Sequence, residues 1–310
     1  MDRVTTSSAY NSIIANLMQA ENQQNQANVQ VSSGKVASDL KGFGSNAEAL
    51  TAAQSMMTRV SGYVQTATNV SAQLSAQDTA LTEVSDAGQN ARQAIAQAVA
   101  SGSADGLMAS LQSAFGQAVD GLNTQYNGSY LFSGGKVSTA PVAAQTLQDL
   151  VTPPAGGVFQ NDQLTSSVQL NETTKVQTGM LASNVGGALF NAFQAVQQYV
   201  NTNGPLSGTL TSAQQTALTG MLQSFDTANS GLTNTQAQNG LVQNQVSSIQ
   251  ANQTQRQTDL QTTIGDIADV DMGQASSNLA QAQTALQASA RVFQSLQSTS
   301  LLNFLTGSGG

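Results

Sequence analysis

The stretch YNSIIANLMQAENQQNQANVQV (Tyr10–Val31) decides how the rest of the chain is read. Apolar or small residues recur in it at alternating steps of three and four: Tyr10, Ile13, Leu17, Ala20, Gln24, Ala27 and Val31. That spacing is the seam of a heptad helix, with one polar member at Gln24. The seam is thin, because a helix this rich in Gln and Asn has little to bury. A second stripe, Leu279, Ala282, Leu286, Ser289, Phe293 and Leu296, lies at the far end of the sequence and continues into Leu301, Leu302, Phe304 and Leu305. Burying a Leu or Phe fully is worth about 1.5–3 kcal/mol, so half a dozen would give about 10 kcal/mol if something covered them. Neither end has a local partner, and isolated helices are marginal in water. The two ends share one period and are therefore natural partners. A two-helix coil still leaves much of Leu301–Leu305 uncovered, so ordering of the ends on assembly with further subunits is expected. A closed monomeric bundle is the alternative.

Between the ends the pattern stays helical. Val60, Val64, Ala67, Val70, Leu74, Leu81 and Val84 mark a helix from Ala47 to about Ala100. Leu111, Phe115, Val119 and Leu122 mark another, from about Leu107 to Gln125. Helix is expected again over Val185–Val200. From about Ser212 a longer seam runs through Val242, Val246, Ile249, Gln253, Arg256, Leu260, Ile264 and Ile267. The exception lies in the middle. Tyr130-Leu131-Phe132 is a β-like run between Asn-Gly and Gly-Gly turn signals. The residues up to about Gly179 hold three of the four prolines and short alternating runs such as SSVQLNETTKVQTG. The expected fold is therefore mainly α, a long antiparallel coiled-coil or bundle rod formed by both chain ends, with a small β-rich insertion. Its expected domains are residues 1–40 with 268–310, residues 41–133 with 181–267, and residues 134–180.

Composition narrows function. The 310 residues contain no Cys, no His and no Trp, and only 8 % are charged. Disulfide and thiol chemistry are excluded, and so is any Ser-His-Asp triad. The commonest metal ligand is missing as well. A net charge of −8 argues against nucleic acid, whose phosphates need a basic patch. No segment approaches the roughly 18–20 apolar residues of a membrane span, and the first residues lack the apolar core of a signal peptide. No membrane insertion is expected, and export, if any, would use a route without a cleaved signal.

Two local motifs call for chemistry and fail on context. GFGSNA (Gly42–Ala47) fits G-x-G-x-x-A, but the polar residues before it do not make the buried strand a dinucleotide site requires. DIADVDMG (Asp266–Gly273) gathers acids beside a glycine, yet lacks the spacing and closing Glu of a calcium loop. A helix cap explains it better, since Asp is a preferred N-cap. No catalytic, cofactor or metal residues are assigned.

RVTTSSAYNSIIANLMQAENQQNQANVQVSSGK resembles the N-terminal segment of the flagellin superfamily, which ends in Ser/Thr-Gly-Lys, here Ser33, Gly34 and Lys35. IGDIADVDMGQASSNLAQAQTALQAS resembles its C-terminal segment, with Ile267, Asp269 and Asp271 on the I-x-D-x-D positions. NGSYLFSGGK is similar to the G-x-Y-x-F-x-G stretch of the superfamily's hook–filament junction members, matched by Gly128, Tyr130, Phe132 and Gly134. After Gly-Lys the chain departs from the family's Asp-Asp-Pro-like segment and reads SDLKGFGSNAEAL. The resemblance implies a structural, non-enzymatic flagellar subunit. Its termini would form an inner layer by self-association in a helical ring, and its insertion would face outward. The implied partners are a neighbouring hook-associated protein, flagellin and a flagellar export chaperone. The implied location is the extracellular flagellum. A filament-forming flagellin is the rival within the family. A secreted surface-binding protein whose central domain contacts a carbohydrate or host ligand is the rival outside it; it would need aromatic platforms in the insertion, which offers only Phe159 beside the Tyr130–Phe132 run.

Overall fold

The computed structural model describes the backbone of residues 2–306 and the side chains of Ser8 and residues 10–295. Six helices account for most of it: α1 (Asp2–Ser33), α2 (Ala47–Ser101), α3 (Leu107–Leu122), α4 (Ala182–Asn203), α5 (Ser212–Ala268) and α6 (Met272–Thr306). Two small antiparallel sheets lie between α3 and α4, β1 (Gln125–Tyr126) with β2 (Ser129–Tyr130), and β3 (Ser167–Gln169) with β4 (Lys175–Gln177). All of the GFGSNA segment but Ala47, where α2 begins, falls within a short 3-10 stretch, Leu40–Asn46, opened by Asp39, whose side chain accepts the Gly42 N–H. Among the described residues no helix is long and apolar enough to cross a membrane.

The chain divides into two compact units, residues 1–59 with 256–310, and residues 60–255. In the first, α1 and α6 pack along each other. They run antiparallel, since Tyr10 meets Phe293 while Lys35 bridges to Asp269.

In the second unit the heptad residues of α2 face those of α5. Gln250 Nε2 donates to Thr68 Oγ1 (3.0 Å), Asn239 Nδ2 to the Leu74 carbonyl (3.1 Å), and Gln236 Nε2 to Thr82 Oγ1 (3.4 Å). An Arg92–Asp226 ion pair continues the series in the same antiparallel sense. The main core lies where α3 and α4 cover this pair. Leu81, Val84, Leu111, Phe115, Leu189, Phe193 and Phe225 are essentially inaccessible there. Its centre is a run of ring contacts, Phe159–Phe190–Phe115–Phe193–Phe225, each with centroids 5.1–5.5 Å apart. Phe159–Phe190 is stacked and the other pairs are tilted or edge-on, arrangements that add to burial through the ring quadrupole.

The segment between α3 and α4 is more irregular than its alternating runs suggest. Within 134–180 the named strands are β3 and β4 alone. Pro141, Pro153 and Pro154 supply no N–H for a ladder, and Gly156 and Gly157 both take positive φ. The segment packs instead on helices. Val142, Ala144, Leu147 and Leu150 join the main core. Leu170 and Val176 dock the β3–β4 hairpin on Ala67, Val70, Leu74 and Val246.

Candidate assembly seam

Helix α1 ends at Gly34, which takes φ +70° and whose N–H reaches the Gln30 carbonyl (2.9 Å). A left-handed residue just past the last turn satisfies an otherwise orphaned carbonyl. Ser33 Oγ donates to the Val29 carbonyl (2.7 Å). The chain then pairs with a segment 234 positions away. Val36 N–H donates to Ala268 O (2.8 Å), Val270 N–H donates to Gly34 O (3.0 Å), and the Lys35 ammonium meets the Asp269 carboxylate. Asp271 opens α6 as its cap, with Oδ1 accepting the N–H groups of Gly273 (2.8 Å) and Gln274 (3.0 Å). Ile267 is half-buried on the last turn of α5. Ser33-Gly34-Lys35 and Ile267-x-Asp269-x-Asp271 are thus two halves of one bridge. The Lys35–Asp269 pair is about half exposed (51 % and 56 %), and such pairs are worth about 0–1 kcal/mol. Its contribution is register: it sets which residue of α1 faces which residue of α6.

That register produces a thin seam. The residues fully buried between the helices are alanines: Ala20, Ala27, Ala275 and Ala282. Small side chains let the helices approach closely, and the larger ones flank them. Ile13, Leu17 and Val31 on α1, and Leu279, Leu286 and Phe293 on α6, are only half-buried. Tyr10 stays 43 % exposed even with its ring 5.6 Å from that of Phe293. Met18, Val29 and Val292 are exposed. Leu296, Leu301, Leu302, Phe304 and Leu305 lie outside the residues whose side chains are described.

In the second unit, NGSYLFSGGK is a turn, an anchor and a clamp. Asn127 and Gly128 take φ +50° and +77°, and Tyr126 pairs with Ser129 across them. Two left-handed residues in succession make the primed turn that suits a hairpin's twist. The strand ends at Tyr130, so Leu131 and Phe132 are not β as their pattern suggests. Phe132 is buried in the main core, and its carbonyl accepts the Ala182 N–H (2.9 Å) at the start of α4. Gly134 has φ +70°, and a Cβ on it would lie 2.3 Å from Asp162 Oδ1. Asp162 Oδ1 accepts the N–H groups of Gly135 (2.8 Å) and Leu164 (2.9 Å). These bonds, that of Gly135 first, hold the carboxyl below its usual range.

Sequence reasoning did not find Asp162 or Ala275. Asp162 had no signal, because its partner Gly135 is 27 positions away. Ala275 could have been found by extending the α6 heptad back from Ala282.

The family model described as the bacterial flagellin N-terminal helical region matches residues 4–137, and that of the bacterial flagellin C-terminal helical region matches residues 222–305. Together they span both halves of the bridge and most of the chain. No curated protein sequence matches it. Solved structures of flagellar proteins share its fold, three of them as follows. One, from Vibrio parahaemolyticus and described as a flagellar hook-associated protein, is 17 % identical with a TM-score of 0.59, over 71 % of this chain and 96 % of that one. Flagellar hook associated protein-3 of Legionella pneumophila is 14 % identical with a TM-score of 0.55, over 71 % and 98 %. FlgL of Xanthomonas campestris is 15 % identical with a TM-score of 0.54, over 70 % and 99 %. The chain belongs to the flagellin superfamily.

Proposed function

We propose that this protein is a structural, non-enzymatic subunit of the bacterial flagellum, joining the hook to the flagellin filament. The observation that carries the assembly role is the α1–α6 coil. It buries alanines in its seam and leaves Tyr10, Met18, Val29 and Val292 exposed along its flanks. The second unit, by contrast, buries Leu74, Leu81 and Phe115 completely within one chain. In this reading residues 1–40 with 268–310 form an inner layer shared between copies in a helical ring. Residues 41–133 with 181–267 surround it, and residues 134–180 face outward. The seam residues Tyr10, Ile13, Leu17, Val31, Leu279, Leu286 and Phe293, continued by Leu296, Leu301, Leu302, Phe304 and Leu305, carry the contacts. The neighbours are a further hook-associated protein on one side and flagellin on the other. An export chaperone holds the α6 segment before secretion to the cell exterior.

Placement at the junction is supported by NGSYLFSGGK and by the hook-associated descriptions of the proteins that share the fold. The family models that match are those of flagellin, which favours a filament subunit as the second reading. Electron microscopy of the purified protein under salting-out conditions, with and without short flagellin filaments, separates the two. Attachment at filament ends without self-made filaments is the expected result. Long filaments from the protein alone would make it a flagellin.

A further inference from the structure

The β1–β2 hairpin, one face of α2, strand β3 and the residues leading into α4 enclose an open cavity of about 490 Å³. That lies within the roughly 300–1,000 Å³ usual for small-ligand sites. Tyr126 and Tyr130 border it, along with Val137, Met180, Asn69 and Gln73. None of the residues lining it is Asp, Glu, Lys or Arg. Among the described residues no protein group hydrogen-bonds to the phenol of Tyr126 or Tyr130 or to the Gln73 amide. Asn69 uses only Oδ1, which accepts from Gln65 Nε2 (3.2 Å), so its own N–H groups remain available.

We propose that this cavity binds the terminal rings of an uncharged glycan. The chemistry selects by elimination. Arg or Lys holds a phosphate, sulfate or carboxylate best, and carboxylates hold a metal cation best, and the walls offer neither. A purely apolar ligand would cover the amides and phenols without pairing them, which is unfavourable. A peptide adding a strand along β2 finds that edge taken, because the Tyr130 N–H already donates to the Val137 carbonyl (2.9 Å). A neutral sugar ring meets both halves of the lining. Its C–H face packs on the tyrosine rings, and its hydroxyls pair with the free amides and phenols. The proposal is independent of the flagellar role, since no residue of the α1–α6 seam takes part.

The test is saturation-transfer NMR on the full-length chain. The probes are the N-acetylglucosamine trimer, maltotriose and lactose at millimolar concentration, with 3′-sialyllactose and a neutral Ser/Thr hexapeptide as comparisons. Transfer to at least one neutral sugar is expected, with binding at least tenfold weaker in Tyr126→Ala. Tyr126 also packs on the main core, so the paired variant Asn69→Ala with Gln73→Ala, at an exposed and a half-buried position of α2, should weaken binding similarly while circular dichroism stays unchanged. Three results would overturn the proposal: no transfer to any neutral sugar, transfer to the peptide or sialylated sugar alone, or undiminished transfer in a folded Asn69→Ala, Gln73→Ala chain.

Discussion

Gly134 combines a φ of +70° with the close approach of the Asp162 carboxylate. Any side chain there pays for the left-handed backbone and displaces the clamp. Gly134→Ala should lose at least about 1 kcal/mol, read as a lower urea midpoint. The carboxylate itself makes the clamp pH-dependent. The Gly135 and Leu164 N–H groups lower its folded pKa, so its stabilisation is complete above the unfolded value of about 3.9. It is lost as pH falls through the lower, folded value, because in that window the unfolded chain binds the extra proton. Asp149 points the same way, lowered by the N–H groups of Gln145 and Thr146. Amide exchange at Gly135 and Leu164, corrected for intrinsic rates, should therefore quicken as pH falls below about 4, and Asp162→Asn should flatten that dependence. An equally steep dependence in Asp162→Asn would remove Asp162 as the cause.

At the scale of elements, the heptad seams show what sequence can carry. Val60, Ala67, Val70, Leu74, Leu81 and Val84 recur at helical spacing and are buried in the structure. The period identifies the buried face of a helix but not its partner. Asn127-Gly128 was legible for a similar reason, since two adjacent residues specify their own backbone. The meeting of Lys35 with Asp269, the docking of Leu170 on Leu74 and the Phe159–Phe190 stack were not. Each joins segments whose local pattern is indifferent to the other. Phe159 illustrates the limit: the sequence shows it as a lone aromatic of the insertion, and the structure stacks its ring on Phe190.

The α2–α5 seam also holds a buried amide, Asn239. Its Nδ2 donates to the Leu74 carbonyl (3.1 Å) and, at a long 3.4 Å, to Asp78 Oδ1 near the surface, while its Oδ1 has no protein partner. A polar group at a seam position sets register at some cost in stability. Leu74 O lies within a helix and loses no obligatory bond if the amide goes. Asn239→Leu should therefore gain about 1 kcal/mol, measured as a higher thermal midpoint. A lower midpoint would mean that the amide contributes net stability. On α6, Phe293→Asp should behave in the opposite sense. The half-buried ring costs the free chain little, but an unpaired charge held inside a packed array costs several kcal/mol. Loss of incorporation into flagella with unchanged circular dichroism is expected, and normal incorporation would contradict the seam assignment.

Taken whole, the chain distributes its apolar surface unevenly. Residues 60–255 close a core of fully buried Leu, Val and Phe, whereas the α1–α6 coil buries alanines and leaves its larger side chains half-covered. A buried Ala contributes far less than a buried Leu or Phe, at about 25 cal/mol per Å² of apolar surface. The free energy of local opening should follow that difference, since sparse apolar contact marks the low-stability parts of a fold. In a dilute solution of single chains, amides of α1 from Tyr10 to Val31 and of α6 from Met272 to Phe293 should exchange faster than those of α3 and α4. In the assembled state the same amides should slow, because neighbouring copies would cover Met18, Val29 and Val292. Hydrogen exchange with mass spectrometry, run on both states, measures this directly. Equal protection of α1, α3, α4 and α6 in the dilute chain would show that the coil is stable by itself. Assembly would then dock a preformed surface, and the sparing use of large side chains in the seam would serve close helix approach instead of ordering on contact.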